Sequence, residues 1–247
     1  MSFVTGKVQY VPLPHAYLDG WLQTYIDFRL SALKKEPPGT FTACYDCESG
    51  ASRERWKTIL NDKAFHPIID VYHTTINSDQ QTLSNGRWIG LVHLQGPLAI
   101  DPHKLSPNRI VDQSQKQVEI YWLLSRAYLD RDFRGYRIAP EKIDFIFQYI
   151  REQVVRMFGS QGPVWVRCRI LRTTVSPVPP DVEKSNARTG WRQLREVTHD
   201  EFLDLLMKEH APLNQNSCSS CGGSSYKGKR MIYQKVMDVN VGSIAHL

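Results

Sequence analysis

The sequence of 247 residues contains no apolar run long enough to cross a bilayer, and no basic segment followed by an apolar one stands at its N-terminus. A helix needs about 20 mostly apolar residues to span a membrane, and a secretory signal needs the basic-then-apolar pattern. We therefore expect no membrane-spanning helix and no export, and predict a cytoplasmic protein.

Cysteine is scarce, with five residues in the chain. In a chain that is not secreted, they indicate free thiols or a metal site rather than a disulfide framework. Cys44 and Cys47 form one C-x-x-C pair, and Cys218 and Cys221 form another; each has the spacing of half a tetrahedral zinc site. The hypothesis is that the four thiolates meet at one structural zinc ion. The alternative is two pairs of solvent-facing thiols on loops.

Acidic residues are fewer than basic ones, 25 against 31, which leaves a net charge of +6. The sequence pI is about 9.0. Much of the basic excess lies in Arg126 to Arg137 and in Arg167 to Arg195. A positive net charge favours anionic partners.

Hydrophobic residues make up 41% of the chain, enough for a substantial core, and the length suits one α/β domain. We predict a single domain over residues 1–247 with enlarged loops at 96–114, 175–190 and 211–228. The predicted strands are 7–13, 66–73, 87–94, 117–129, 164–175, 191–197 and 229–236, and the predicted helices are 15–35, 52–61, 140–158 and 199–209. The proline-rich segment 175–184 is predicted to be extended, and Thr198 with Glu201 forms a predicted capping box.

The most informative stretch is Tyr128 to Phe158. Its second half carries apolar residues at the three-and-four spacing of a buried helix face, and Pro140 suits the first helical position. Before that helix, Arg134 to Ala139 forms a short basic turn. Backbone N–H groups in such a turn, together with the helix N-terminus, point at a bound anion. We expect a phosphate or a pyrophosphate.

A strand ending Tyr-Leu-Asp, then Asp-Phe-Arg-Gly-x-x-Ile-Ala and an amphipathic helix, resembles the acetyl-CoA-binding motif of the GNAT superfamily of N-acetyltransferases. The family's turn reads Gln/Arg-x-x-Gly-x-Gly/Ala. Arg134 stands at its start and Ala139 at its end, whereas Arg137 replaces the middle glycine. The order of the predicted elements also matches. The resemblance implies an α/β (α+β) fold with a mixed, mostly antiparallel central sheet, flanked by helices and splayed between the fourth and fifth strands.

The resemblance further implies acetyl-CoA as a co-substrate and a small amine as acceptor, in a monomer or a homodimer. The implied enzyme moves an acetyl or another short acyl group by direct attack in a ternary complex. A CoA phosphate is a sufficient anionic partner, so nucleic acid is not required. The residues implied to bind the cofactor are Leu129, Arg134, Gly135, Tyr136, Arg137, Ile138, Ala139 and Asn186.

The general base implied by the resemblance is Glu119 on the fourth strand, with His93 and His73 on neighbouring strands as alternatives. Many family members use a tyrosine four residues before a Gly-Phe pair as the general acid. Here Asn186 stands four residues before Gly190-Trp191, and no tyrosine lies between Tyr149 and Tyr226.

The missing tyrosine leaves several alternatives open. Water protonates the thiolate, or Tyr226 or Tyr233 does. A second possibility is a non-catalytic GNAT-like binding protein, and a third is a basic, zinc-containing nucleic-acid-binding module. The C-terminal Ala245-His246-Leu247 fits the shape of a peroxisomal import signal, which gives peroxisomal location as the alternative to cytoplasmic.

Overall fold

The computed structural model describes part of the chain. The described residues are 6–15, 18–36, 45–74, 83–84, 86–98, 100, 117–136, 138–159, 164–178, 180–198, 201–202 and 229–241. Several predictions fall on other residues: Arg137, Cys44, Cys218, Cys221, Tyr226 and the C-terminal tripeptide all lie outside the described part.

In the described ranges strands and helices follow one another in the predicted order, with two additions; the predicted helix 199–209 lies mostly outside these ranges. The strands are β1 (Lys7–Pro12), β2 (Phe65–His73), β3 (Arg87–Leu98), β4 (Gln117–Leu129), β5 (Trp165–Val175), β6 (Arg192–Val197) and β7 (Arg230–Asn240). The helices are α1 (Leu18–Lys35), α2 (Tyr45–Ser49), α3 (Arg53–Leu60), α4 (Ile138–Phe158) and α5 (Pro180–Arg188). Helix α2 and helix α5 were not predicted. No helix in the described ranges is long and apolar enough to cross a membrane.

The strands form one seven-stranded sheet in the order β1-β2-β3-β4-β5-β7-β6. Strands β1 and β2, β2 and β3, β5 and β7, and β6 and β7 pair antiparallel, whereas β4 and β5 pair parallel. The β4–β5 ladder runs from Gln117 opposite Trp165 to Leu124 opposite Arg172, although β4 continues to Leu129 and β5 to Val175. This topology confirms the predicted GNAT-type fold class.

Helix α5 corrects the prediction of an extended loop over 175–184. Its first residue is Pro180, which needs no hydrogen-bond partner for a backbone N–H and already has a helical φ. The cluster of three prolines suggested extended chain, but the last of them begins a helix. The predicted capping box is confirmed: the Thr198 N–H donates to Glu201 Oε2 at 2.7 Å, and the Glu201 N–H donates to Thr198 Oγ1 at 3.2 Å.

By its internal contacts the chain divides into two compact units. The first comprises Met1–Gln95, Ser125–Ile138 and Met207–Gly228, and the second comprises Gly96–Leu124, Ala139–Leu206 and Lys229–Leu247. In the first unit, α1 and α3 pack their apolar faces with β2 and β3 around Tyr25, Trp56 and Leu91. In the second, the inward residues of β5 and β7 are buried, and Lys235 lies over the ring of Phe147 on α4, 4.6 Å from its centroid.

Cys168 on β5 is fully buried in the second unit, and burial, with Asp238 adding to it, raises the pKa of its thiol to about 12. Unfolding returns the thiol to its ordinary pKa of 9.0. Between these values only the unfolded chain is ionised, so we expect this thiol to leave stability unchanged below pH 9. Above pH 9 it should lower stability by roughly 1.4 kcal/mol per pH unit.

Urea unfolding of wild type and Cys168→Ala between pH 8 and pH 10 measures this contribution. The difference in unfolding free energy between the two proteins should shrink as the pH rises. A difference that stays constant over this range would contradict the assignment.

Candidate functional site

The segment between β4 and α4 forms the predicted turn, and its residues up to Ile138 belong to the first unit. Asp130 begins it: its backbone N–H donates to the Ile89 carbonyl at 2.7 Å, and its Oδ1 accepts from the Asp132 N–H at 3.4 Å. A short 3₁₀ turn follows over Arg131–Phe133, and Gly135 has a φ of +89°, in the region that favours glycine. A Cβ added at Gly135 would meet no atom of the described residues within 4 Å, so within this part of the chain the turn is open above Gly135.

Packing beneath the turn fixes where α4 begins. The Tyr10 hydroxyl of β1 donates to the carbonyl of Ile138, the first residue of α4, at 3.0 Å. Phe133 and Ile138 are buried together, and the ring of Phe133 contacts Tyr72 with 5.0 Å between centroids. The first N–H groups of a helix have no partner within it, and they carry partial positive charge. The packing beneath the turn therefore holds its backbone N–H donors in a fixed position.

Two arginines tie the turn to the C-terminal end of α1. Arg134 donates to the Glu36 carboxylate, and its Nε donates to the Leu129 carbonyl at 3.0 Å. Arg131 donates to the Lys35 carbonyl at 2.8 Å, and its Nε lies 3.8 Å from Glu36. Glu36 is almost completely buried. The Arg134 side chain thus holds the turn in place as well as adding positive charge beside it.

Asp130 is the second anchor of the turn. Burial alone would raise the pKa of its carboxyl, but hydrogen bonds from Lys35 and the Asp132 N–H, with the charges of Lys35 and Arg87, outweigh burial and lower it. Lys35 Nζ and Arg87 Nη2 each lie 3.2 Å from Asp130 Oδ2. Two carboxylates that sequence reasoning did not identify therefore hold the basic turn in place: Asp130 within it and Glu36 at the end of α1.

The first unit contains a charged cluster that the sequence did not indicate, and one of its residues belongs to β4. Arg29 donates from Nε and Nη2 to the two oxygens of Glu48, at 2.9 and 3.0 Å. Arg126 of β4 lies with Nη1 3.8 Å from Glu48 Oε1, and its φ is +53°. We call Arg29, Glu48 and Arg126 the arginine cluster. Glu48 is on α2, which sequence reasoning treated as a polar segment, so no signal connected the three.

The predicted alternative bases His93 and His73 both lie in the first unit. His93 is fully buried, with Nε2 2.5 Å from the Tyr25 hydroxyl and Phe65 packed edge-on at 4.7 Å between centroids. Burial raises the pKa of Tyr25, against the lowering effects of Arg29 and Arg126, so its hydroxyl stays protonated. His73 is buried at the end of β2, and its Nε2 has no hydrogen-bond partner among the described residues.

Glu119, the preferred base, lies in the second unit and is the most exposed of the three candidates. Its side chain is 22% exposed. Arg169 of β5 donates to Glu119 Oε1 at 2.6 Å, and the Tyr121 hydroxyl donates to the same oxygen. Both of these hydrogen bonds end on the same carboxylate oxygen.

Asn186, predicted to contact the cofactor, is also in the second unit, on α5. Its side chain is buried, and Nδ2 has no partner among the residues that the structure describes. The Asn186 carbonyl accepts from the Trp191 N–H at 2.9 Å. Trp191 in turn packs under Arg172 of β5, whose guanidinium lies 5.2 Å from the ring centroid.

Of the predicted cofactor-binding residues, Leu129, Arg134, Gly135, Tyr136 and Ile138 lie together at the turn in the first unit. Ala139 and Asn186 belong to the second unit. Arg137 is outside the described ranges, so its role in binding the cofactor stays a prediction.

Zinc binding also stays a prediction. The backbone of Cys47 lies in α2, but its thiol and the other three cysteines of the two pairs are outside the described part of the chain. Over the described residues, no group of three or more His, Cys, Asp or Glu side chains is placed to hold a metal ion.

Comparisons with known proteins give matches at the level of structure. No family model and no curated protein matches the sequence. Arabidopsis thaliana NAA60 in complex with acetyl-CoA matches with a TM-score of 0.49 and 12% identity, over 94% of this chain and 99% of that one. A GNAT-family acetyltransferase from Staphylococcus aureus Mu50 matches with a TM-score of 0.44 and 11% identity, over 95% and 99%. AAC(6')-Iy, in complex with a bisubstrate analogue, matches with a TM-score of 0.45 and 12% identity, over 77% and 95%. The strand order and pairing directions described above are those of a GNAT-type fold, and that is the fold of this chain.

Proposed function

We propose that the protein is an N-acyltransferase that moves an acetyl or another short acyl group from acyl-CoA to an amine of a small molecule. The observation that carries the proposal is the turn after β4, open above Gly135 and anchored through Glu36 and Asp130. An open set of backbone donors at a helix start, with positive charge beside it, suits a pyrophosphate. Arg134, Gly135, Tyr136 and Ile138 would hold that group.

The reaction requires attack by a deprotonated amine. Its nitrogen bonds to the thioester carbonyl carbon, the carbon–sulfur bond breaks, and the amine proton passes to a base while the CoA thiolate takes up a proton. We assign Glu119 as the base because its carboxylate is partly exposed, whereas the imidazoles of His73 and His93 are buried. Backbone N–H groups of β4 would stabilise the developing oxyanion.

The thiolate cannot take its proton from a tyrosine four residues before Gly190-Trp191, since that position is Asn186 and no tyrosine lies between Tyr149 and Tyr226. Tyr233 on β7 is buried, and its hydroxyl has no hydrogen-bond partner in the described part of the chain. We assign Tyr233 as the donor, with water as the alternative. The assignment places acid and base in the second unit, on β7 and β4.

A thermal-shift screen against CoA thioesters, followed by free-thiol release with a panel of small amines, tests the proposed function. Acetyl-CoA should raise the melting temperature in proportion to the logarithm of its concentration above its dissociation constant. Amine-dependent thiol release should follow.

The two alternatives give different results in the same assays. Stabilisation by CoA esters without thiol release would identify the non-catalytic binding protein. No stabilisation, together with salt-sensitive binding of DNA or RNA, would identify the nucleic-acid-binding module. If no CoA ester stabilises the protein, the proposed function is wrong.

A further inference from the structure

Glu119, the base of the proposed reaction, accepts two hydrogen bonds at one oxygen. Arg169 of β5 donates from Nε at 2.6 Å, and the Tyr121 hydroxyl donates to the same atom. Tyr121 follows Glu119 by two residues on β4, and Arg169 is opposite Tyr121 in the β4–β5 register. The three side chains therefore lie on one face of the sheet. All three residues belong to the second unit.

The strands on both sides of β4 determine what else lies beside Glu119. Arg167 of β5 is opposite Glu119 in the register, and it donates to Asp238 of β7 at 2.8 Å. On the other side, a Cβ added at Gly96 of β3 would lie 2.9 Å from the Tyr121 carbonyl oxygen, and β3 is uncharged from this glycine to its end. In the described part of the chain, cationic side chains therefore flank Glu119 on β5.

The two hydrogen bonds make Glu119 a weak base. A guanidinium beside a carboxylate stabilises its negative charge, and each hydrogen bond donated to the ionised form does the same. Tyr121 is buried and Arg169 is only 14% exposed, so water screens their effect on Glu119 less than it would at an open surface. A carboxylate held in this way takes a proton readily only from an acidic donor.

A weak base is sufficient when the acceptor arrives as a neutral amine. Once the amine nitrogen has bonded to the thioester carbonyl carbon, it carries a positive charge, and its proton is far more acidic than that of the free ammonium ion. Glu119 takes this proton as the carbon–sulfur bond breaks, and the CoA thiolate takes up a proton from the donor assigned above. An ammonium ion, in contrast, has to lose a proton before it can attack.

Amines differ widely in how much of the neutral form they supply. An α-amino group, with a pKa of about 7.7–8.0, is about 10–17% neutral at pH 7. An ε-amino group, with a pKa of about 10.4, is only about 0.04% neutral. The Arg169 guanidinium also opposes the attraction of the Glu119 carboxylate for an ammonium ion, so a strongly basic amine gains little from this carboxylate.

We propose that the acceptor is a weakly basic amine, such as an α-amino group or an aromatic amine, and that Arg169 and Tyr121 impose this selection through Glu119. The inference rests on the proposed function, in which Glu119 is the base. Arg169 and Tyr121 are positioning residues, since they act on the reaction through the carboxylate that they hold.

Two pairs of amines test the selection. Nε-acetyl-lysinamide and Nα-acetyl-lysinamide contain the same atoms, but the first presents an α-amino group and the second an ε-amino group. Aniline and benzylamine provide the same contrast on an aromatic ring. In at least one pair, thiol release from acetyl-CoA at pH 7 should give a kcat/KM about 100-fold higher for the weaker base. If neither pair shows this preference, the inference is wrong.

Variants of the positioning residues locate the effect. Arg169→Gln should lower the preference at least about 10-fold, because Glu119 becomes a stronger base and attracts ammonium ions, whereas Arg169→Lys should keep most of it. Tyr121→Phe should lower it several-fold. A purely structural role would reduce turnover of both amines equally and leave their ratio unchanged.

Arg192→Gln is the matched control, because Arg192 is exposed on β6, opposite Gln234 on the same face of the sheet but three strands from β4. Its ratio should equal that of the wild type. If Arg169→Gln does not fold, the wild-type and Tyr121→Phe ratios decide, and a ratio unchanged in Tyr121→Phe would contradict the assigned roles.

Calorimetric binding of the same amines separates this inference from the proposed function. The wild-type protein should bind the weaker base of a pair at least about 10-fold more tightly at pH 7. This preference without any thiol release would uphold the selection and overturn acyl transfer. Thiol release with the stronger base as readily as with the weaker one would uphold acyl transfer and overturn the selection. Neither binding nor release with any of the four amines would overturn both.

Discussion

Replacing Glu48 with glutamine is expected to destabilise the protein by about 3–5 kcal/mol, the usual cost of breaking a buried ion pair by removing one partner. The substitution keeps the shape of the side chain and removes its charge. Arg29 would lose the anion that binds both of its donors, and Arg126 would lose its nearest carboxylate. Both guanidinium groups would then lose the buried carboxylate that faces them.

Urea unfolding followed by tryptophan fluorescence measures this effect, because Trp56 and Trp88 are buried in the same unit. Glu152→Gln is the matched control: Glu152 is exposed on α4 and accepts one hydrogen bond from Gln148 at 3.3 Å. A surface change of this kind should alter stability by no more than about 0.5 kcal/mol. If Glu48→Gln is as mild as Glu152→Gln, the charge of Glu48 does not stabilise the cluster.

The strands and the long helix were predictable because burial of one face, or of both faces, sets the spacing of apolar residues along the element. β4 was predicted at its observed bounds, Gln117–Leu129, because the whole stretch between two polar segments has the pattern of one long strand. Helix α4 was predicted from the spacing of its apolar residues and from Pro140, and the structure adds only two residues at its start. Local propensity and tertiary packing agree in both elements.

What the sequence did not reveal depends on contacts between distant residues. The Arg29–Glu48 pair joins two helices, and Arg126 reaches it from β4; no spacing rule relates these positions. Glu36 lies 98 residues before Arg134, yet it determines how that arginine is used. The motif therefore located the turn, but the groups that hold it in place became visible only in the structure.

The turn itself provides the sharpest test of cofactor placement. Gly135 has a φ of +89°, and a Cβ at this position would meet no described atom within 4 Å, so Gly135→Ala and Gly135→Val change the backbone preference without a steric clash against the described residues. A side chain disfavours this conformation, and the β-branched valine disfavours it more. The turn should relax toward negative φ, and the N–H groups that face the anion should move with it.

Loss of one or two charge-assisted hydrogen bonds would weaken CoA binding by about 10–100-fold, with valine showing the larger loss. Gly159→Ala is the matched control, because no described atom lies within 4 Å of its Cβ position, Gly159 follows the other end of α4, and it does not have a positive φ. Its dissociation constant for CoA, measured by calorimetry, should equal that of the wild type.

Because Arg134 is held by Glu36 and the Leu129 carbonyl, Arg134→Ala should weaken CoA binding in the same way by releasing the turn. If the glycine and arginine variants all bind CoA as tightly as the wild type, the pyrophosphate does not lie on this turn.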